Sequence, residues 1–138
     1  MGFTTPSYSL KDLFARAERG ELQLPDFQRE YIWDVDRIRT LVTSVLRGYP
    51  IGSFLALDTR NAPMRFRPRP LDGLTTGDRE PGLLLLDGQQ RLTSLFYALK
   101  GAGEIPTVDY LGRRIRRRFF VDVRAAVAAA PMPVEAVF

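Results

Sequence analysis

Four consecutive leucines, Leu83 to Leu86, run directly into Asp87-Gly88-Gln89-Gln90-Arg91, and no other stretch constrains the fold as tightly. An apolar run this short reads as a strand buried on both faces. Beyond it Leu92, Leu95, Phe96 and Leu99 recur at helical spacing and Gly101 closes the pattern, so a helix is expected from about Gln90 to Lys100. Strand and helix then meet at Asp87-Gly88, and Gly88 permits a tight turn that other residues resist. The first N–H groups of a helix have no internal partner, so a helix start behind a glycine attracts anions. Gln89 and Gln90 add amide donors there. Arg91 adds a guanidinium fork that fits phosphate oxygens, and Asp87 can hold a Mg²⁺ that bridges such phosphates. The plainer alternative makes Asp87 an N-cap, Gly88 a turn and Arg91 a solvated residue of the first turn.

The rest of the chain alternates in type. Ser9 is placed to cap a first helix, with Asp12 as its capping-box partner and Leu10, Leu13, Phe14 and Ala17 as its apolar face. Glu21 to Leu24 is extended. A second helix starts at Asp34 and carries Ile38, Leu41, Val42, Val45 and Leu46 in one stripe before Gly48 and Pro50 end it. Ser53 to Asp58 reads as a buried strand. Arg60 to Gly82 is a long loop in which Arg65, Arg67 and Arg69 alternate. Ile105 to Tyr110 and Ile115 to Val123 form a hairpin around Leu111-Gly112, followed by a short helix at Arg124 to Ala130. The chain is expected to be one α+β domain over residues 1–138. Its apolar last residues, Val134, Val137 and Phe138, suggest part of a longer protein.

Composition removes several chemistries. The chain has neither Cys nor His, which excludes a disulfide framework, a thiolate metal site and a His-based hydrolase or zinc nuclease built from these residues. Nothing resembles a signal peptide or a membrane span, so a cytoplasmic protein with no membrane partner is expected. The net charge is +4, and only Lys11 and Lys100 are lysines, so eighteen of the twenty basic residues are Arg. Arg suits phosphate groups, but codon bias gives the same ratio. Arg113, Arg114, Arg116, Arg117 and Arg118 crowd the hairpin, where they read either as a grip on a nucleic-acid backbone or as a solvated surface.

A second cluster, Leu24-Pro25-Asp26-Phe27-Gln28-Arg29 with Tyr31 and Trp33, mixes aromatic rings with amide and guanidinium donors. Such a mixture can hold a base by stacking and edge contacts. Phe27, Ile32 and Trp33 read equally well as core, with Arg29 stacked on a ring.

Taken together, "LPDFQREYIWD", "RIRTLVTSVLRGYPIGSFLALD" and "LLLLDGQQRLTSLFYAL" resemble the N-terminal DGQQR domain of GmrSD-type modification-dependent restriction enzymes. The same domain occurs in SspE-type effectors that sense phosphorothioate DNA, and it belongs to the ParB/sulfiredoxin-like superfamily. The resemblance covers about residues 8–100. It implies an α+β fold with a mixed sheet and flanking helices. It also implies binding and hydrolysis of a nucleoside triphosphate, GTP foremost, with Mg²⁺. Asp87, Gln90 and Arg91 would then be catalytic, with Asp87 on the metal, and Gly88, Gln89, Gln28 and Arg29 would line the nucleotide. DNA, modified at its backbone or its bases, would meet Phe27, Gln28, Tyr31 and Trp33; beyond the resembling stretch, Arg113, Arg116, Arg117 and Arg118 of the basic hairpin are the further candidates for contact with it. The partner implied within the same protein is a C-terminal nuclease domain, and self-association is a further expectation. The alternatives are a DNA-binding module without hydrolysis and a docking or dimerisation domain for the nuclease.

Overall fold

The structure is a computed structural model that describes residues 4–60 and 66–138; Arg65 lies outside the described residues. The elements are α1 (Leu10–Glu18), β1 (Leu22–Pro25), α2 (Val35–Leu46), β2 (Leu55–Asp58), β3 (Pro68–Arg69), β4 (Leu83–Asp87), α3 (Gln89–Leu99), β5 (Ile105–Val108), β6 (Arg114–Arg117) and α4 (Val123–Ala128). A 3-10 turn at Val134–Ala136 follows. The class is α+β with a four-stranded mixed sheet, as expected. The chain divides into two compact units that interleave in sequence. One holds residues 1–28 and 55–87, and the other residues 29–54 and 88–138.

The first unit contains the sheet, in the order β2-β4-β1-β3. β1 and β4 run parallel, with Leu22 opposite Leu83, while β2 on β4 and β3 on β1 are antiparallel. Every residue of β1 is buried. The one polar side chain among them, Gln23, satisfies its amide by donating to the carbonyls of Gly20 and Arg79, both at 2.9 Å, so its burial leaves no bare donor. Leu84 and Leu85 of β4, Leu22, Leu24, Leu71, Phe14 and Ala17 supply the apolar core. α1 packs beside β1, and Ser9 caps it by accepting from Asp12 N at 3.1 Å. Asp12 pairs with Arg16 at 3.1 Å.

β2 departs from the expectation of a buried strand. It begins at Leu55 and forms the sheet's edge, and Leu55 is 46% exposed. An apolar run tells how well residues fit a strand, but not whether a second strand covers its free side.

The second unit packs α2, α3, the β5–β6 hairpin and the C-terminal segment around Tyr31, Ile38, Val42, Ile105 and Val137. Asp34 caps α2, accepting from Arg37 N at 2.9 Å, and Asp122 caps α4, accepting from Ala125 N at 3.0 Å. α3 buries Leu92, Leu95 and Phe96, but Leu99 at its last turn is 53% exposed, so the core face is one turn shorter than its period suggests. β6 stops at Arg117 rather than running to Val123. Past that point Val121 bridges Val137, and Phe120 and Phe138 exchange both backbone hydrogen bonds, at 2.7 and 2.9 Å. The chain's last residues take over a ladder that the local alternation assigned to the hairpin. No helix among the described residues is long and apolar enough to cross a membrane.

Candidate functional site

The leucine strand delivers Asp87 as its last residue, exposed at the end of β4 and opposite Leu55 in the ladder. Gly88 follows with φ 100° and stands at the N-cap of α3. A Cβ at this position would lie 2.2 Å from Phe54 Cδ1, so both the backbone angle and the packing demand glycine. The other three α-helices begin with a capping side chain from Ser9, Asp34 or Asp122, whereas α3 begins with no side-chain cap. A helix N-terminus carries partial positive charge, and at α3 the N-cap residue itself contributes no side chain to it.

The three polar residues after Gly88 are put to specific use. Gln89 is buried, and its amide donates to Arg29 O at 2.7 Å. Gln90 reads the same segment in both directions: its Oε1 accepts from Ile32 N at 3.1 Å and its Nε2 donates to Glu30 O at 3.3 Å. The paired glutamines thus fasten the backbone of residues 29–32 to the start of α3. Arg91 fastens a second segment. Its Nη1 donates to Ile51 O at 2.7 Å, its Nη2 donates to Ser53 O at 2.8 Å, and its guanidinium carbon lies 4.8 Å from the Phe54 ring centre. Gly52 has φ 92°, and a Cβ there would sit 2.4 Å from Arg91 Nη1. The Arg91 fork is thus held in one orientation by carbonyls, a ring and a glycine.

The residues of the Phe27–Trp33 cluster take different roles, each within its own unit. Gln28 donates to Leu86 O at 2.7 Å and so braces the end of β4 within the first unit. Phe27 is exposed and meets Phe66 edge-on, with ring centres 5.1 Å apart. Arg29 is exposed, and its carbonyl is the one that Gln89 holds. Tyr31 is a core residue: its hydroxyl shares a 2.8 Å hydrogen bond with Ser94, and its ring lies 5.9 Å from that of Tyr97. Trp33 packs against the core of the second unit and also lines an open groove of about 540 Å³ with Arg37, Thr40, Ser44, Pro50 and Ile51.

The basic hairpin is less positive than its sequence. Arg113 pairs with Asp109 at 2.8 Å, Arg114 with Glu30 at 3.3 Å, and Arg116 and Arg118 share Glu104 at 3.3 and 3.1 Å. Arg117 lies over the Phe119 ring. Five arginines against three carboxylates leave a net +2 on this surface. The Glu30 partner raises the pKa of Arg114, chiefly through the side-chain hydrogen bond. Asp109 is held below the ordinary carboxylate range, first by the backbone N–H of Arg113.

Sequence reasoning placed Asp87 to Arg91 on the right turn. It missed Phe54 and Gly52, which complete the cage around Arg91. The signal was there in Pro50-Ile51-Gly52-Ser53-Phe54, a glycine two residues past a proline and just before the stretch read as strand. Among the described residues no group of three acidic side chains could hold a metal ion. A Mg²⁺ at Asp87 would take the rest of its shell from phosphate oxygens and water, which is how nucleotide-bound Mg²⁺ is commonly held.

Comparison with known proteins places these features in a wider set. The family model described as "GmrSD restriction endonuclease, N-terminal domain" matches residues 10–128. A protein of Methanocaldococcus jannaschii, itself uncharacterized, is 42% identical over 126 residues, covering 86% of this chain and 21% of that relative. The chain thus spans about a fifth of the length of the curated relative it matches.

Proposed function

The chain belongs to the family of GmrSD restriction endonuclease N-terminal domains, and from that premise we propose that it binds and hydrolyses a nucleoside triphosphate at the start of α3. In this reading hydrolysis is coupled to sensing of modified DNA and governs a nuclease domain of the same protein. The observation that carries the proposal is the start of α3: a left-handed glycine with no side-chain cap, followed within one turn by a caged arginine.

The chemistry follows from those residues. Terminal phosphates would accept from the main-chain N–H groups of the first turn, where the helix dipole favours negative charge. Phosphoryl transfer depends mostly on positioning and on stabilising charge that spreads over the transferred group. Arg91 supplies a fixed cation whose orientation the Ile51 and Ser53 carbonyls set before any ligand arrives. Gln89 and Gln90 act by positioning, since their amides hold residues 29–32 and with them Arg29. Asp87, the last residue of β4, is the candidate ligand for a nucleotide-bound Mg²⁺, which would supply charge neutralisation at the phosphates. GTP is the first candidate, and phosphorothioate linkages or modified bases are the candidate DNA marks.

Calorimetric titration with GTP, ATP, CTP and UTP in the presence of Mg²⁺ tests the reading. Wild type should bind at least one of them saturably, and Arg91→Ala should weaken that binding at least about tenfold. Arg91→Lys keeps the charge but not the fork, and a thermal melt of each variant reports whether the 51–54 segment survives. A folded wild-type chain that binds no triphosphate, or a folded Arg91→Ala that binds as tightly as wild type, sinks the proposal.

A further inference from the structure

The Arg67 and Arg69 pair that stands out in the sequence has no part in the nucleotide reading. The structure gives it a setting within the first unit. Leu24 and Pro25 of β1 pair with Arg69 and Pro68, and the ladder continues as Asp26 N donates to Arg67 O at 2.9 Å. Arg69 Nη2 then donates to Gln28 O at 2.9 Å. These bonds bring Phe66 to the turn that carries Phe27. The two rings meet edge to face, yet Phe27 is 60% exposed and Phe66 is 40% exposed. Two phenylalanines held side by side at a surface by main-chain bonds are an apolar patch that folding of this unit does not cover.

We propose that the Phe27–Phe66 pair, flanked by Arg67 and Arg69, is a stacking platform for an unpaired base of a DNA strand. The inference rests on the DNA-sensing part of the function proposed above. Ring faces beside guanidinium groups suit a base next to its phosphates: the ring takes the base's π-face and the arginine takes the backbone. The carboxylate in the same turn is Asp26, which is exposed, and Arg67 is exposed as well. An apolar peptide would gain from the rings but not from these charges. In an intact duplex each base is stacked between neighbours, so the platform selects a strand whose base is free, whether single-stranded or opened out of the helix.

The test uses the whole chain and a short fluorescein-labelled single-stranded DNA of mixed sequence, with the matching duplex for comparison, followed by anisotropy. Wild type should prefer the single strand. Phe66→Ala and Phe27→Ala should each weaken single-strand binding by about tenfold, and Phe66→Trp should restore it. Arg67→Ala should instead flatten the salt dependence by about one unit of slope. Both rings are surface groups, and a thermal melt confirms that each variant is folded. Calorimetry with the triphosphate separates the two readings: Phe66→Ala should leave nucleotide binding as in wild type. Unchanged single-strand affinity in folded Phe66→Ala overturns the platform. Loss of triphosphate binding in that variant, with DNA binding intact, assigns the rings to the base of the nucleotide and equally overturns the DNA assignment.

Discussion

At the scale of single residues, Gly88 and Gly52 carry the most specific constraints. Each has a left-handed backbone and no room for a side chain, because Phe54 and Arg91 occupy the space. Gly88→Ala should cost about 1–3 kcal/mol in urea unfolding, part from φ and part from the clash. Adding Phe54→Ala to Gly88→Ala should return only the steric part, so the double-mutant cycle should show coupling of at least about 0.5 kcal/mol; additivity would mean that the ring does not crowd the turn. Gln89 carries a constraint of another kind. Its buried amide holds Arg29 O, and Gln89→Ala leaves that carbonyl without its donor at a cost of about 1–3 kcal/mol, read from the same unfolding curves. The motif was legible as a strand, a glycine turn and a helix start. That its glutamines reach backwards to residues 29–32 was not, since a sequence shows which donors exist but not which carbonyls fold toward them.

Among elements, α2 was the most legible and the hairpin the least. Asp34, the Ile38–Leu46 stripe and Gly48 encode start, face and stop within one short window, and the structure returns a helix at Val35–Leu46. The hairpin's strands were visible, but its charge was not, because Glu30 and Glu104 come from outside it. Glu104→Gln should release Arg116 and Arg118 and raise affinity for duplex DNA a few-fold at low salt, with a steeper salt dependence. No change in affinity or slope would remove this hairpin from the DNA-contacting surface. Asp109 orders the turn by accepting from Leu111 N and Arg113 N, both at 2.9 Å. Its folded-state pKa is depressed, so its contribution is present above the ordinary carboxylate pKa and is lost as pH falls through the lower folded value. Amide exchange at Leu111 and Arg113, corrected for intrinsic rates, should therefore lose protection only in that acid range, and Asp109→Asn should remove most of the pH dependence.

For the whole molecule the decisive fact is that the chain crosses between its two units three times, after Gln28, Phe54 and Asp87. The motif Asp87-Gly88 is one of those crossings, which is why a strand of one unit and a helix of the other share a five-residue signature. The C-terminal segment closes the second unit: Val137 is fully buried among Tyr31, Ile38, Val42 and Ile105. Val137→Ala should cost about 1–3 kcal/mol and reduce hydrogen-exchange protection at Ile38 and Ile105. The sequence by itself determined the local pieces: the capped helices, the leucine strand, the glycine turn and the family they jointly indicate. Each depends on periodicity, capping or backbone freedom within a few residues. Only the tertiary structure decided that β2 is an edge, that Tyr31 is core, that Phe27 meets Phe66 and that Arg91 is caged by Ile51, Ser53 and Phe54. Those outcomes rest on contacts between residues far apart in the chain, and they depend on which surfaces remain to be covered once the local pieces have formed.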